Sequence, residues 1–187
     1  MNETGKLKRF TDQMTALTTR GGDDPTLIEG ARELMKALVG ADDWLSDEMA
    51  QPHPSHYRQY LLYRDPDERF VVVSFVWGPG QHAPVHDHTV WGVIGMLRGA
   101  ERTLSYDFQN GHLLRGTEAR LEPGDVEAVG PGIGDIHQVS NAYEDRVSIS
   151  IHCYGADIGR VRRHVYDPDS AAVKEFVSGY ANTASHT

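Results

Sequence analysis

The sequence predicts an all-β core, a small barrel of short antiparallel strands, with N-terminal helices and a short C-terminal helix. Apolar residues recur at three- and four-residue spacing within positions 1–50. From His56 onwards, short β-branched and aromatic runs alternate with polar turns. Gly and Pro gather at the ends of those runs, at Gly78-Pro79-Gly80, Pro123-Gly124 and Gly130-Pro131-Gly132. Many short strands with frequent turns are the pattern of a barrel or sandwich. At 187 residues the chain reads as one domain, 1–187, long enough to bury roughly 70% of its unfolded surface. Within it, 1–50 form a helical layer, 56–166 the barrel, and 167–187 the C-terminal helix and tail.

In chain order, a first helix is expected over 7–17. Asp24 can cap a second helix with Pro25 at its first position, where the missing N–H costs nothing. Leu27, Ile28, Ala31, Leu34, Met35 and Leu38 supply its apolar stripe, and Gly40 its stop. A short helix follows at 44–49. Strands at 60–63 and 70–77 flank a polar turn, 64–69, that makes them a hairpin. Further strands are expected at 91–97, 102–108, 113–115, 125–129, 137–139 and 146–154, with a turn at 109–112. Residues 170–180 read as helix, and the end as disordered.

Composition narrows the function. The chain carries 18 Lys and Arg against 27 Asp and Glu, a formal charge of −9 at pH 7. Such a field repels nucleic acid and anionic membrane alike, so neither is expected as a partner. The lone cysteine, Cys153, excludes an intrachain disulfide and a multi-cysteine zinc site. No apolar run approaches the ~20 residues of a membrane span, and the first residues lack a signal-peptide core. A soluble, cytoplasmic protein is expected; the sequence leaves its oligomeric state open.

Most of the ten histidines need no function. His53, His56, His82, His112, His164 and His186 fall in loops, turns or the tail and read as solvated or locally bonded imidazoles. His86 and His88 differ, because two residues apart in a strand-like stretch they share one face. They sit in Gly80-x5-His86-x-His88, with Gly99 eleven residues further on. A second block runs from Gly124-Asp125 through Pro131-x2-Gly134-x2-His137-x3-Asn141. These blocks resemble the paired metal-binding motifs of the cupin superfamily, small β-barrels that hold a metal in the barrel mouth. The resemblance implies His86, His88 and His137 as metal ligands, against the alternative of buried, hydrogen-bonded histidines. Cupins usually add a carboxylate ligand four or five residues after the second histidine, where this chain has Gly92 and Val93. Three neutral imidazoles leave a divalent ion its full charge of about +2, which suits an anionic ligand such as a thiolate.

From about Tyr57 to Tyr166 the chain resembles the thiol dioxygenase branch, the cysteine dioxygenase type I family. The resemblance rests on Trp77-Gly-x-Gly80, His86-Asp87-His88-Thr89, Leu97-Arg98-Gly99, Gly134-x2-His137-x-Val139-x-Asn141 and Ser150-Ile151-His152-Cys153-Tyr154. It implies one Fe(II) per chain, a small thiol and O2 as reactants, and Ser150, His152 and Tyr154 as an outer hydrogen-bond chain beside the iron. Alternation alone puts those three on one face of a strand and Ile149, Ile151 and Cys153 on the other. Polar groups so placed are either solvated or networked. Three histidines by themselves would equally hold Zn, Ni or Cu. The trio does not resemble a hydrolase triad, for tyrosine replaces the acid and no nucleophile elbow is present.

Two departures from the animal cysteine dioxygenases matter. Those enzymes carry a cysteine, crosslinked to the active-site tyrosine, just after the second metal histidine. Gly92 and Val93 stand there, so no Cys–Tyr crosslink is expected at Tyr154. They also pair the substrate carboxylate with an arginine on the strand before the metal motif. Here Gln59 aligns with it, as in bacterial 3-mercaptopropionate dioxygenases, where an arginine after the Ser-x-His-x-Tyr strand meets the carboxylate. Arg163 matches that residue. A one-residue shift would put Arg58 in place of Gln59; for Arg163 itself the alternative is a solvated surface charge. The expected function is therefore oxidation of a small carboxylate-bearing thiol to its sulfinate, with 3-mercaptopropionate ahead of cysteine and mercaptosuccinate. The alternatives are a cysteine dioxygenase and a non-redox metal-binding cupin, a sensor or structural protein.

Overall fold

A computed structural model describes residues 3–183; His186 and the end of the expected disordered tail lie outside them. Two helices lead, α1 (Glu3–Arg20) and α2 (Asp24–Val39). The stripe read from sequence is what α2 buries, through Ile28, Ala31, Met35, Leu38 and Val39. Its cap is Asp23, not Asp24: the Asp23 carboxylate accepts the Thr26 N–H at 3.1 Å, and Asp24 becomes the first helical residue. The acid one place earlier is the one that reaches an orphan amide of the first turn, where Pro25 is still harmless. The expected helix at 44–49 is a 3-10 turn, Asp47–Ala50. Trp44 precedes it, buried, and its indole N–H donates to the Leu38 carbonyl at 2.9 Å.

Eleven strands follow: β1 (Arg58–Arg64), β2 (Val71–Trp77), β3 (Val85–His86), β4 (Gly92–Arg98), β5 (Glu101–Gln109), β6 (His112–Leu121), β7 (Val126–Val129), β8 (Ile136–Asn141), β9 (Ser148–Tyr154), β10 (Arg163–Tyr166) and β11 (Val173–Phe176). They form two antiparallel sheets, ordered β1-β2-β9-β4-β7 and β11-β10-β3-β8-β5-β6. The central strands β2 and β9 are buried at every position, which is why 70–77 reads as a continuous apolar run rather than an alternation. One face of this sheet, with Val72, Val76, Val93, Ile149, Ile151 and Cys153, packs under the helices. Its other face, with Val73, Phe75, Trp77, Ile94, Met96 and Tyr154, meets Val139 and Leu121 of the second sheet. Gly95 lets β4 pass beneath α2, for a Cβ there would lie 2.6 Å from Met35 Cγ. No helix among the described residues is long and apolar enough to cross a membrane.

The expected C-terminal helix over 170–180 is absent. Val173–Phe176 is instead β11, paired antiparallel with β10. The local spacing of Val173, Phe176, Val177 and Tyr180 fits a helix, but the open edge of β10 supplies backbone partners that an isolated short helix lacks. Beyond β11 the chain runs back along β1: the Ala181 N–H donates to the Gln59 carbonyl at 2.8 Å, and Asn182 bonds both the N–H and the C=O of Leu61.

Candidate metal centre

Strand β3 is only two residues long, and its antiparallel partner β8 sets His86 directly opposite His137. His88 completes the group, with ring centroids 5.0 Å from His86 and 4.7 Å from His137. One ring nitrogen from each imidazole lies within 4.8 Å of the others. The rings are aimed by backbone carbonyls. His86 donates its Nδ1–H to Pro84 at 2.9 Å and His88 its Nδ1–H to Asp135 at 3.0 Å, so in both the Nε2 lone pair is the free one. The Asp135 carboxylate also accepts the backbone N–H of His88 and of Thr89, at 3.0 and 3.1 Å. These bonds hold the loop at Thr89, whose φ of 60° lies in the left-handed region.

His88 Nε2 is buried without any hydrogen-bond partner. An orphaned buried acceptor is unfavourable by about 1–3 kcal/mol, and this one belongs to a cluster of three imidazole donors. A metal ion fits that arrangement. Burial, reinforced by the charge each neighbour would carry, holds His86 at about 3 and His137 well below the usual imidazole range. Both therefore keep their lone pairs at neutral pH. Among the described residues no carboxylate joins the group, so the donor set is three imidazoles, and these could bind a metal ion.

Behind the cluster, β9 carries a second array on the face the alternation gives it. Ser150 Oγ is 2.8 Å from His152 Nε2, and His152 Nδ1 is 2.8 Å from the Tyr154 hydroxyl. All three side chains are buried, so they are networked rather than solvated. Phe75 stacks on His152 at 3.9 Å between ring centroids, and the Tyr154 ring lies 5.7 Å from that of His88. Burial raises the Tyr154 phenol well above its usual range and keeps it protonated. Cys153 points the other way, among the apolar residues beneath the helices, with its thiol pushed up by burial. Peptide mass analysis should accordingly find Tyr154 as a plain phenol; a two-hydrogen loss joining it to Cys153 would contradict this strand orientation.

Gly92 lies against the Tyr154 ring, where a Cβ would come within 2.6 Å of Cδ1. Gly92→Ala should therefore displace the phenol and destabilise the fold by about 1–3 kcal/mol, the usual range for overpacking. Denaturant unfolding and the near-ultraviolet tyrosine signal would measure both effects.

Two of the imidazoles, His86 and His137, line a cavity of about 450 Å³, together with His152, Tyr154, Arg58, Gln59 and Arg163. On β1, Gln59 shares a face with Leu61, which packs toward the inner core, and its Oε1 is buried without a partner. Arg58 also borders the cavity, but its guanidinium is held by the Tyr60 hydroxyl, to which it donates at 2.9 Å. Arg163 is not the solvated charge of the alternative reading, since it is only 3% exposed. One guanidinium nitrogen donates to Ser178 Oγ at 2.8 Å, the group sits 4.6 Å over the Phe176 ring, and its Nε has no partner. Burial lowers its pKa against the pull of Tyr154, Tyr57 and Asp87. A buried guanidinium with an unpaired N–H is a receptor for an anion. The C-terminal run through Ser178 and Tyr180 supplies a further part of the wall.

Three acids the sequence reading passed over complete the surroundings. Asp135 is described above. Asp87, between His86 and His88, is buried and accepts the His164 N–H at 2.7 Å, His164 Nδ1 at 2.7 Å and the Tyr166 hydroxyl at 2.9 Å. It thereby ties β10, the strand of Arg163, to the loop of His86 and His88. Glu101 is fully buried at the start of β5.

No protein-family model matches the chain. Among solved structures it is similar to a cupin superfamily protein from Desulfitobacterium hafniense, 15% identical with a TM-score of 0.44, covering 57% of this chain and 84% of that one. A cupin 2 conserved barrel domain protein from Rhodopseudomonas palustris is 18% identical with a TM-score of 0.47, over 64% and 75% of the two chains. A cupin 2 domain-containing protein from Halorhodospira halophila is 19% identical with a TM-score of 0.48, over 68% and 81%.

Proposed function

We propose that this chain is an iron(II)-dependent thiol dioxygenase that converts a small carboxylate-bearing thiol, 3-mercaptopropionate above others, to its sulfinate. The observation that supports it most is one cavity lined by three things together: His86 and His137 of the three-imidazole cluster, the His152–Tyr154 end of the Ser150–His152–Tyr154 chain, and Arg163, whose Nε has no partner. The reaction takes a thiol and O2 to a sulfinate and a proton. The S–H and O–O bonds break, two S–O bonds form, and sulfur gives four electrons to oxygen. Iron held by His86, His88 and His137 would supply the redox centre at which both reactants meet; that metal is chosen on the resemblance to thiol dioxygenases.

The residues have separate tasks. Arg163 pairs with the substrate carboxylate, fixing the length of thiol that fits. Gln59 offers neutral hydrogen bonds on the opposite wall. Tyr154, oriented through His152 by Ser150, presents a hydroxyl to the reacting oxygen or sulfur. Phe75 and Trp77, both buried, exclude water behind them. Tyr154→Phe should retain its metal while kcat falls about 10²-fold, as for loss of one donor to developing charge.

Oxygen consumption by iron-loaded protein across a panel of small thiols, with products identified by mass, tests the reading. Bound metal without thiol-dependent oxygen uptake would overturn it in favour of a non-redox metal-binding protein. Cysteine turned over better than 3-mercaptopropionate at low concentration would make it a cysteine dioxygenase. The thiol and O2 are the proposed partners, and a reducing cytoplasm is the compartment that supplies free thiols.

A further inference from the structure

Glu101 has 0% of its surface exposed, and neither carboxyl oxygen meets a hydrogen-bond partner. It stands between Asn141 of β8 and Leu121 of β6 in cross-strand register. The Ser150 hydroxyl and the Trp77 indole lie near enough to act on its ionisation, though neither meets it in hydrogen-bond geometry. That is the inner end of the Ser150–His152–Tyr154 chain. A carboxyl buried to this degree is costly unless it interacts, and nothing in the packing of the sheets calls for one.

We infer that Glu101 is a positioning residue: as an un-ionised acid it donates to Ser150 and fixes the direction of every hydrogen bond in the chain, so that Tyr154 turns its own proton into the cavity. This rests on the reading that Tyr154 acts there. A serine hydroxyl has one hydrogen and two lone pairs, and an indole N–H can only donate. The Trp77 indole approaches Ser150 Oγ at 3.5 Å. With the acid's hydroxyl on the second lone pair, the serine hydrogen has one place left, His152 Nε2 at 2.8 Å. His152, kept neutral by burial, then carries its proton on Nδ1 and donates it to the phenol oxygen at 2.8 Å. The phenol hydrogen is left free to face the cavity.

Ionisation of Glu101 reverses the chain. The carboxylate accepts the serine hydrogen, the histidine proton moves to Nε2 and points at Ser150, and Tyr154 turns its hydrogen back to Nδ1. One proton leaves for solvent and the others re-seat. The phenol can then only accept a hydrogen bond from whatever the cavity holds. Burial carries the Glu101 carboxyl up to about 7, helped by the charge of Glu127 on β7 and opposed by Ser150 and Trp77. Glu127 itself is raised by burial, opposed by Thr103 and by Arg32 of α2. The two directions of the chain therefore exchange near neutral pH.

The test reads the His152 tautomer by nitrogen NMR in zinc-loaded protein labelled with ¹⁵N-histidine, His152 being assigned by its loss in His152→Asn. In the wild type the Nδ1–H form should fall from about nine-tenths near pH 6 to about one-tenth near pH 8, one titration centred at about 7. The infrared stretch of a protonated carboxyl should fade over the same range. Glu101→Gln keeps a neutral donor, so its His152 should stay Nδ1–H throughout, without that carboxyl band. A wild-type tautomer that ignores pH, or a Glu101→Gln protein that titrates like the wild type, would overturn the inference. None of these readings needs turnover, so a protein that oxidises no thiol would defeat the proposed function and leave this test standing. Where turnover is seen, kcat should drop about tenfold across the same range with KM unchanged, and Glu101→Gln should be flat.

Discussion

His88→Ala should abolish metal retention, and His86→Ala and His137→Ala should do the same. Three protein ligands leave no redundancy, and no carboxylate among the described residues belongs to the group. The loss should exceed the roughly 10–100-fold typical of removing a partner that only orients a ligand. Asp135→Asn gives the comparison, because it alters the bonds that hold the His88 loop while leaving all three imidazoles. His112→Ala, at the exposed start of β6, should change nothing. Metal content after equilibrium dialysis against iron or zinc decides it. A single-histidine variant that keeps full metal and full activity removes that residue from the centre.

Arg163→Ala should lower kcat/KM for 3-mercaptopropionate by about 2–5 kcal/mol, the range for truncating one partner of a buried hydrogen-bonded charge pair. At about 1.4 kcal/mol per decade, that is roughly 30-fold to several thousandfold. Cysteamine, which has no carboxylate, should lose far less. Metal content should not change, since the guanidinium bonds Ser178 rather than any imidazole. Arg163→Lys should recover only part of the loss, for an ammonium cannot offer two parallel N–H bonds. Equal losses on both thiols would make Arg163 structural. Arg58→Ala should cost far less, because its guanidinium is already held by the Tyr60 hydroxyl, whereas Gln59→Arg should shift preference toward cysteine.

The parts of the site that follow from short-range spacing were legible in the sequence. His86 and His88 do meet as their spacing suggested, although β3 ends at His86 and His88 sits in the loop beyond it, and Ser150, His152 and Tyr154 share a face of β9 because they alternate along it. The choice between Gln59 and Arg58 was not legible, since motif comparison tolerates a one-residue slip that a pleated strand does not. Asp135 and Asp87 were missed because their partners stand 47 and 77 residues away in the chain. Glu101 opens a strand in sequence, where an acid reads as surface; its burial exists only once β6 and β8 flank it. The tail was misread for a related reason. Residues 170–180 carry a local helical spacing, and the edge of β10 that overrides it is invisible until the sheet is assembled.

Strand β9 presents Ile149, Ile151 and Cys153 to the helices and Ser150, His152 and Tyr154 to the interior, so one added or deleted residue there would exchange the two sets. The wall across the cavity is joined differently, by main-chain bonds such as Gly179 to Gly159 and Ala181 to Gln59 and by the side chains of Ser178, Tyr180 and Asn182. Heritable change is therefore channelled. Lineages descending from such a chain can alter that wall by point substitution, one contact at a time, while indels in β9 are eliminated along with the fold.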